Sequence, residues 1–335
     1  MNAETLDLRK DIYYRKEYAG LYADEESTVF EYEYREKDCW LINLAIKRPI
    51  TRIGGETCPE GFYDLETPYG YGGFCTNSED RDFISRALDQ YRARCREENI
   101  IAEFFRFHPF NDFPGRFADV FDLCVHDRDV VVVPLGPSRT ERWAACSSST
   151  RNILRKCART QRFSETDDID RFMDLYGKTM EKNRADHFYY FTRAYFEQLL
   201  RIPGVRLCRV ELENECTAMG IFMCTDGIAH YHLSANSPSR MKLNANYFLL
   251  DEAFEAARGW GAAYFLLGGG RTNAPDDSLL MFKRKFSGET RPFYIAGIVH
   301  NRGKYAEYLE RWARRNPAAG HIKYFLKYRL CDQPV

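Results

Sequence analysis

Three strand-length apolar runs in tandem constrain this chain most. Residues 205–212, 218–224 and 228–234 are each rich in aliphatic and aromatic side chains. The turns between them, Glu213-Asn214-Glu215 and Thr225-Asp226-Gly227, are short enough to make the runs antiparallel neighbours. A polar loop, 236–244, then leads to a helical pattern over 246–258. Gly259 and Gly261 close that pattern, and an apolar strand over 262–267 follows. Such an order needs a sheet with helices laid against it, so the fold class is α/β with mixed sheets.

The first half has a similar order of elements. Residues 7–18 read as a short amphipathic helix, and 27–34 and 39–46 as strands joined by the turn Arg35-Glu-Lys-Asp38. A turn-rich segment, 54–74, contains Pro68-Tyr69-Gly70-Tyr71-Gly72-Gly73-Phe74. A helix starting at Ser78 has Phe83, Ile84, Ala87, Leu88, Tyr91 and Cys95 at helical spacing. Strands over 101–107 and 129–134 follow, and the segment 134–140 reads as a linker. Beyond it come helical patterns over 147–161, 169–182 and 193–201. At 335 residues the chain exceeds one ordinary core. Two domains are expected, 1–140 and 141–335, related by fold duplication.

The charges nearly cancel, 48 basic against 49 acidic residues. That argues against a dedicated nucleic-acid coat or a DNA partner and leaves room for a local basic patch. The start of the chain lacks the apolar core of a signal peptide, and no apolar run approaches a membrane span. The 11 cysteines are scattered, with no Cys-x-x-Cys pair. They read as reduced, buried thiols of a cytoplasmic protein. Cys58 and Cys75 flank a loop without a third ligand at metal spacing, so no metal is expected.

The candidate site lies where the 262–267 strand runs into Gly268, Gly269 and Gly270. An acidic turn, Asp276-Asp277, and a short helix with Phe282, Lys283, Arg284, Lys285 and Phe286 follow. Glycines after a strand let a ligand approach the backbone, and neighbouring cations can neutralise a phosphate or a developing oxyanion. A plain strand–turn–helix needs neither.

Four blocks resemble the FemAB-like transferases of the GNAT superfamily. They are Ser149-Thr-Arg151-Asn-Ile-Leu-Arg155-Lys156-Cys-Ala-Arg159; Phe172 to Met180 with Phe188-Tyr189-Tyr190-Phe191 and Tyr195-Phe196; Gly268-Gly-Gly270 with Phe282-Lys283-Arg284-Lys285-Phe286-Ser287-Gly288; and the Pro68 to Gly73 loop. The third departs from the family's Phe-Lys-x-x-Phe-Gly pattern by Ser287 before the glycine. The match covers the second half well and the first loosely. The resemblance implies two tandem GNAT-like domains around a shared cleft. It also implies transfer of an acyl or aminoacyl group to an amine, without metal or covalent intermediate. Its best-known members take amino acids from aminoacyl-tRNA to peptidoglycan precursors. Others are acyltransferases on amino sugars or polysaccharide precursors.

On that reading the co-substrate is acyl-CoA or aminoacyl-tRNA, with nothing held as a tight cofactor. The acceptor is a small-molecule or lipid-linked amine of a cell-wall or surface-polysaccharide precursor, met in the cytoplasm or at the inner membrane face. The rivals are an acyl-CoA N-acetyltransferase on an amino sugar nucleotide and a non-catalytic GNAT-like binding module. By resemblance Lys283 contacts the reaction centre or a donor phosphate. Asp276, Asp277, His230 and His232 are the candidate bases, and the two histidines, alternating on one strand, are expected on one face. Phe282 is a candidate to stack on a donor base. Of the basic helix residues Arg151, Arg155, Lys156 and Arg159, helical spacing puts Arg151, Arg155 and Arg159 on one face, which reads as a phosphate-binding face for a nucleotide-linked substrate or tRNA or as a solvated face, with Lys156 beside it. Arg240 and Lys242 sit in a glycine-free version of the loop that binds pyrophosphate in acetyl-CoA enzymes. Tyr189 and Tyr190 would line an acceptor groove, and Tyr69 and Tyr71 a lid. The tail over 305–329, rich in cations and aromatics, packs on the domain or docks on an anionic membrane.

Overall fold

The computed structural model describes residues 6–330. Contacts divide the chain into two compact units. One joins Met1–Ile12 to Arg128–Arg291, and the other joins Tyr13–Asp127 to Pro292–Val335.

In the first unit the strands lie in the order Gln161–Thr166, Val205–Leu212, Glu215–Thr225, Ile228–Asn236, Tyr264–Gly268, and then the end of Leu123–Pro134. All neighbours are antiparallel except Ile228–Asn236 and Tyr264–Gly268, which the helix Ala245–Gly259 connects in parallel. That helix and Ser148–Thr160 close one core through Leu154, Cys157, Phe248, Leu249 and Phe254 against Phe222 and Phe265 of the strands. Helices Ile169–Asn183 and Arg193–Arg201 supply a separate aromatic set, Phe172, Tyr176 and Phe196.

In the second unit the hairpin Thr28–Glu36 with Cys39–Pro49 pairs on to Tyr63–Glu66, then to Ile100–Arg106, then to the later residues of Thr290–Val299. Tyr63–Glu66 and Ile100–Arg106 are parallel and are joined by the helix Arg81–Glu97. Each unit is therefore built on two parallel strands with a helix between them. The helix buries Phe83, Ile84, Ala87, Leu88, Tyr91 and Cys95, the six residues its periodicity selects.

Several expectations shift. The 7–18 stretch is not one helix: it forms short 3-10 turns at Leu8–Lys10 and Ile12–Tyr14 and a helix at Lys16–Gly20. Ile12, Tyr13 and Tyr14 are all buried, and three consecutive buried residues cannot share one helical stripe. The Arg81–Glu97 helix is capped by Asp80, while Ser78 sits two residues further out and accepts from the Asp80 amide at 3.2 Å. The 134–140 linker holds a capping box, Ser138 with Glu141, that starts the helix Arg139–Ala145.

The C-terminal tail was expected with the second half of the chain. It packs instead with residues 13–127. Tyr308, Trp312, Leu326 and Tyr328 are buried there. Arg329 clamps the buried Asp64 carboxylate at 2.7 and 2.9 Å, and Arg311 meets Glu60 at 2.7 Å. Among the described residues no helix is long and apolar enough to cross a membrane.

Candidate active site

The parallel strands Ile228–Asn236 and Tyr264–Gly268 pair over three positions, ending at His230 with Leu266. A bulge on the antiparallel side falls next to this end: Phe222 faces Tyr231 and Ile221 faces Leu233, so His232 is the extra residue. On the other strand the register with the neighbouring strand shifts between Leu266 and Gly268, and Gly268 takes φ +78°. The two strands thus stop pairing where both are irregular, which is where a sheet makes room for a ligand.

Lys283 enters this region from the short helix Ser278–Lys283. Its Nζ donates to the Gly269 carbonyl at 2.7 Å and lies 6.0 Å from the centroid of the Tyr231 ring. The residue is 7% exposed, and among the described residues no carboxylate lies within ion-pair distance of it. Burial pushes its amine down to about 7, against the opposing pull of the Asp277 charge. Such an amine is present in both protonation states at neutral pH.

Asp277 is the fastener of the loop rather than a free base. Its Oδ1 accepts from the amides of Leu279 at 2.9 Å and Leu280 at 3.1 Å, capping the helix. Its Oδ2 accepts from the amides of Arg271 at 3.2 Å and Thr272 at 3.1 Å and from the Thr272 hydroxyl at 3.2 Å. Burial alone would raise this carboxyl. The donors outweigh it and hold the group at about 2. Asp276, next to it, is exposed.

Gly269 and Gly270 are explained by the same clasp. A Cβ on Gly270 would stand 2.5 Å from Asp277 Oδ1, and one on Gly269 would stand 2.9 Å from Arg128 Cδ. Phe282 is half-buried and meets Tyr247 and Phe286 edge to face at 5.1 and 5.5 Å, so it serves the core. Lys285 is exposed and reaches the Tyr247 hydroxyl at 2.7 Å, and Arg284 is exposed.

The histidines do not behave as a pair on one face. The bulge takes His232 out of the alternation. His230 Nε2 lies 2.7 Å from Asp11 Oδ2, both groups sealed at 1% exposure. His232 Nε2 meets the Tyr195 hydroxyl at 3.0 Å. Burial, with His230 adding to it, pushes His232 down to about 3, so it is neutral at pH 7.

The basic helix divides by role. Arg151 turns back to donate to the carbonyls of Ala144 at 3.1 Å and Cys146 at 2.6 Å, closing the preceding helix. Arg155, Lys156 and Arg159 are exposed. Lys242 is also exposed, whereas Arg240 is paired with Glu215 at 2.5 Å. Both sit in Pro238–Leu243, which Gln161, the first residue after the basic helix, holds through Nε2 on the Leu243 carbonyl at 2.8 Å. Asn244 follows in the left-handed region at φ +55° and gives the Ala245–Gly259 helix no side-chain cap. In the first turn of that helix the Tyr247 amide donates to the Asn244 carbonyl at 3.0 Å.

Tyr189 ends the 3-10 turn His187–Tyr189, and Tyr190, 44% exposed, follows it. Phe191 stacks on Tyr195 at 4.2 Å, so this aromatic run leads to the His232 side of the bulge. Tyr69 and Tyr71 belong to the other unit. The Tyr69 carbonyl accepts from the Tyr18 hydroxyl at 2.7 Å, and Tyr71 meets Tyr13 and His108 edge to face. The sequence reading missed Tyr231 and Asp11. Tyr231 reads as an ordinary strand aromatic, and Asp11 is 219 residues from the histidine it binds.

Residues 146–278 match the GNAT acetyltransferase domain family. Of solved structures, FemX superposes with a TM-score of 0.70 at 11% identity, covering 91% of this chain and 96% of that one. The C-terminal domain of a putative lysylphosphatidylglycerol synthetase from Agrobacterium fabrum gives 0.51 at 15% identity, covering 89% and 91%. L-PGS from Bacillus licheniformis gives 0.50 at 13%, covering 84% and 88%. No curated protein sequence matches the chain. Residues 146–278 are thus similar to a GNAT acetyltransferase domain, and the chain shares its fold with FemX.

Proposed function

We propose that this chain transfers an acyl or aminoacyl group from an activated ester or thioester to an amine on a cell-envelope precursor. The observation that carries the reading is Lys283: a buried amine that no carboxylate pairs with among the described residues, held on Gly269 where the parallel strands part. An amine that attacks a carbonyl must lose a proton, and the carbonyl oxygen becomes negative. Neutral Lys283 takes the proton from the attacking nitrogen as the carbon–nitrogen bond forms. It then returns the proton to the departing oxygen or sulfur as that bond breaks. Its ordinary value, moved from 10.5 to about 7, suits both halves of this exchange.

GNAT enzymes use acyl-CoA as co-substrate, and the start of the helix Ala245–Gly259, which has no side-chain cap and follows Lys242, is where its pyrophosphate would be met. When bound, the CoA would supply the thioester. A second donor, aminoacyl-tRNA, is favoured by one observation: Arg155, Lys156 and Arg159 are exposed on a helix that has no acidic residue. The fold shared with the putative lysylphosphatidylglycerol synthetase domain, whose name implies an aminoacylated lipid, fits an envelope acceptor. Tyr189 and Tyr190 would receive that acceptor, and Asp277 positions the loop beneath it.

Transfer is measured from acetyl-CoA and from an aminoacylated RNA minihelix to a peptidoglycan precursor peptide with a free amine. Wild type transfers from one of them, and Lys283→Ala does not while melting cooperatively. Ligand binding with no turnover in wild type would instead make the chain a binding module.

A further inference from the structure

Lys283 has a second chemical property, and it rests on the reading above. The amine lies beside the end of the parallel ladder, where an acyl carbonyl must come for transfer. Its single described hydrogen bond is to the Gly269 carbonyl, an acceptor that leaves the nitrogen lone pair free. Asp277, the nearest acid in the loop, spends both oxygens on five donors of its own. Nothing in the geometry fixes a charge on Nζ.

We propose that Lys283 is itself an acyl acceptor, and that donor bound without acceptor leads the enzyme to acylate its own Lys283. The nucleophile is then of the same kind as the substrate, a neutral primary amine. Nζ attacks the donor carbonyl, the carbon–nitrogen bond forms, and the carbon–sulfur or carbon–oxygen bond breaks. The proton lost from Nζ goes to the leaving thiolate or alkoxide. The product is an amide, which removes the base and blocks the site. Acceptor scarcity thereby switches the enzyme off until new protein is made or a deacylase acts. An ordinary lysine amine in water is neutral in fewer than about one molecule in a thousand at pH 7. Burial of Lys283 lifts that restriction.

The test incubates the full chain with acetyl-CoA, or with the aminoacylated minihelix, in the absence of acceptor, and maps acylated lysines by peptide mass spectrometry. Lys285, exposed two residues away, is the internal reference. The expected result is an occupancy ratio of Lys283 to Lys285 above about ten at pH 7, a ratio that collapses when the chain is unfolded in urea. Added acceptor lowers the occupancy of Lys283, and activity falls as that occupancy rises. Equal labelling of the two lysines overturns the proposal, as does an unlabelled Lys283 in protein that still turns over acceptor. The latter leaves the proposed reaction standing. If no donor labels Lys283 and no acceptor is turned over, both readings fall.

Discussion

Two glycine-rich loops follow strands in this molecule, and they use their glycines differently. At Gly70 and Gly73 the missing side chains admit aromatic rings: a Cβ would stand 2.3 Å from Tyr13 Cε1 and 2.6 Å from Phe107. Both glycines also have positive φ, +103° and +86°. At Gly269 and Gly270 the space is filled by Arg128 and by the Asp277 carboxylate, and the Gly269 carbonyl carries a buried lysine. The first loop is sealed by apolar packing. The second is a polar clasp around a titratable amine. Glycines after a strand mark close approach, and the identity of the approaching group decides whether chemistry is available.

The largest effect expected from breaking this contrast is at the amine. Lys283→Met abolishes transfer by about 10²–10⁴-fold, the usual contribution of a positioned proton acceptor. It acts oppositely on stability. Lys283 titrates near 7 in the fold and 10.5 in the open chain, so between those values the unfolded state binds more protons and wild-type stability rises with pH. Below about 7 the full burial penalty remains. Lys283→Met is therefore more stable than wild type at pH 7, on the order of a few kcal/mol, and the difference shrinks toward pH 10.5. Denaturant melts across that range show it, and a constant difference would mean that Lys283 is not buried neutral.

Gly70→Ala and Gly270→Ala sharpen the comparison next. The former collides with a ring at positive φ and costs about 2–3 kcal/mol, while kcat of the folded fraction holds. The latter displaces Asp277, so kcat falls by more than the melting temperature does. Equal effects in the two variants would erase the distinction. Smaller again is Asp277→Asn, which costs about 1 kcal/mol as a weakened cap. With its carboxyl near 2 in the fold and 3.8 unfolded, the wild-type contribution is whole above about pH 4 and fades as pH falls toward 2. Acid melts of the variant lack that step. Smallest on stability is Arg155→Glu with Lys156→Glu, within about 0.5 kcal/mol. If aminoacyl-tRNA is the donor, its KM rises and the salt dependence of that KM flattens.

Much of the fold was readable. Strand Val205–Leu212, the helix Arg193–Arg201 and the buried face of Arg81–Glu97 carry clean periods, so local pattern and packing agree. The short helix that carries Lys283 beside the glycines was readable through its flanking phenylalanines. What was not legible came from distant partners. The bulge at His232 depends on the strand beside it, and the clasp by Asp277 depends on a loop folding back on its own amides. Strand Thr290–Val299 escaped notice because Pro292 interrupts its pattern; its pairing with Ile100–Arg106 begins at Ile295, beyond the proline.

The way Arg329 reaches Asp64 bears on biosynthesis. Residues 13–127 leave the ribosome before 128–291 and lack their partners in 292–330 until those have been made in turn. Arg128–Arg291 emerges in between as one continuous stretch and can compact first. The half of the chain made first is thus completed last. A nascent chain stalled before residue 292 exposes the apolar face that Trp312 and Tyr308 cover in the finished protein, which makes such fragments clients for chaperones.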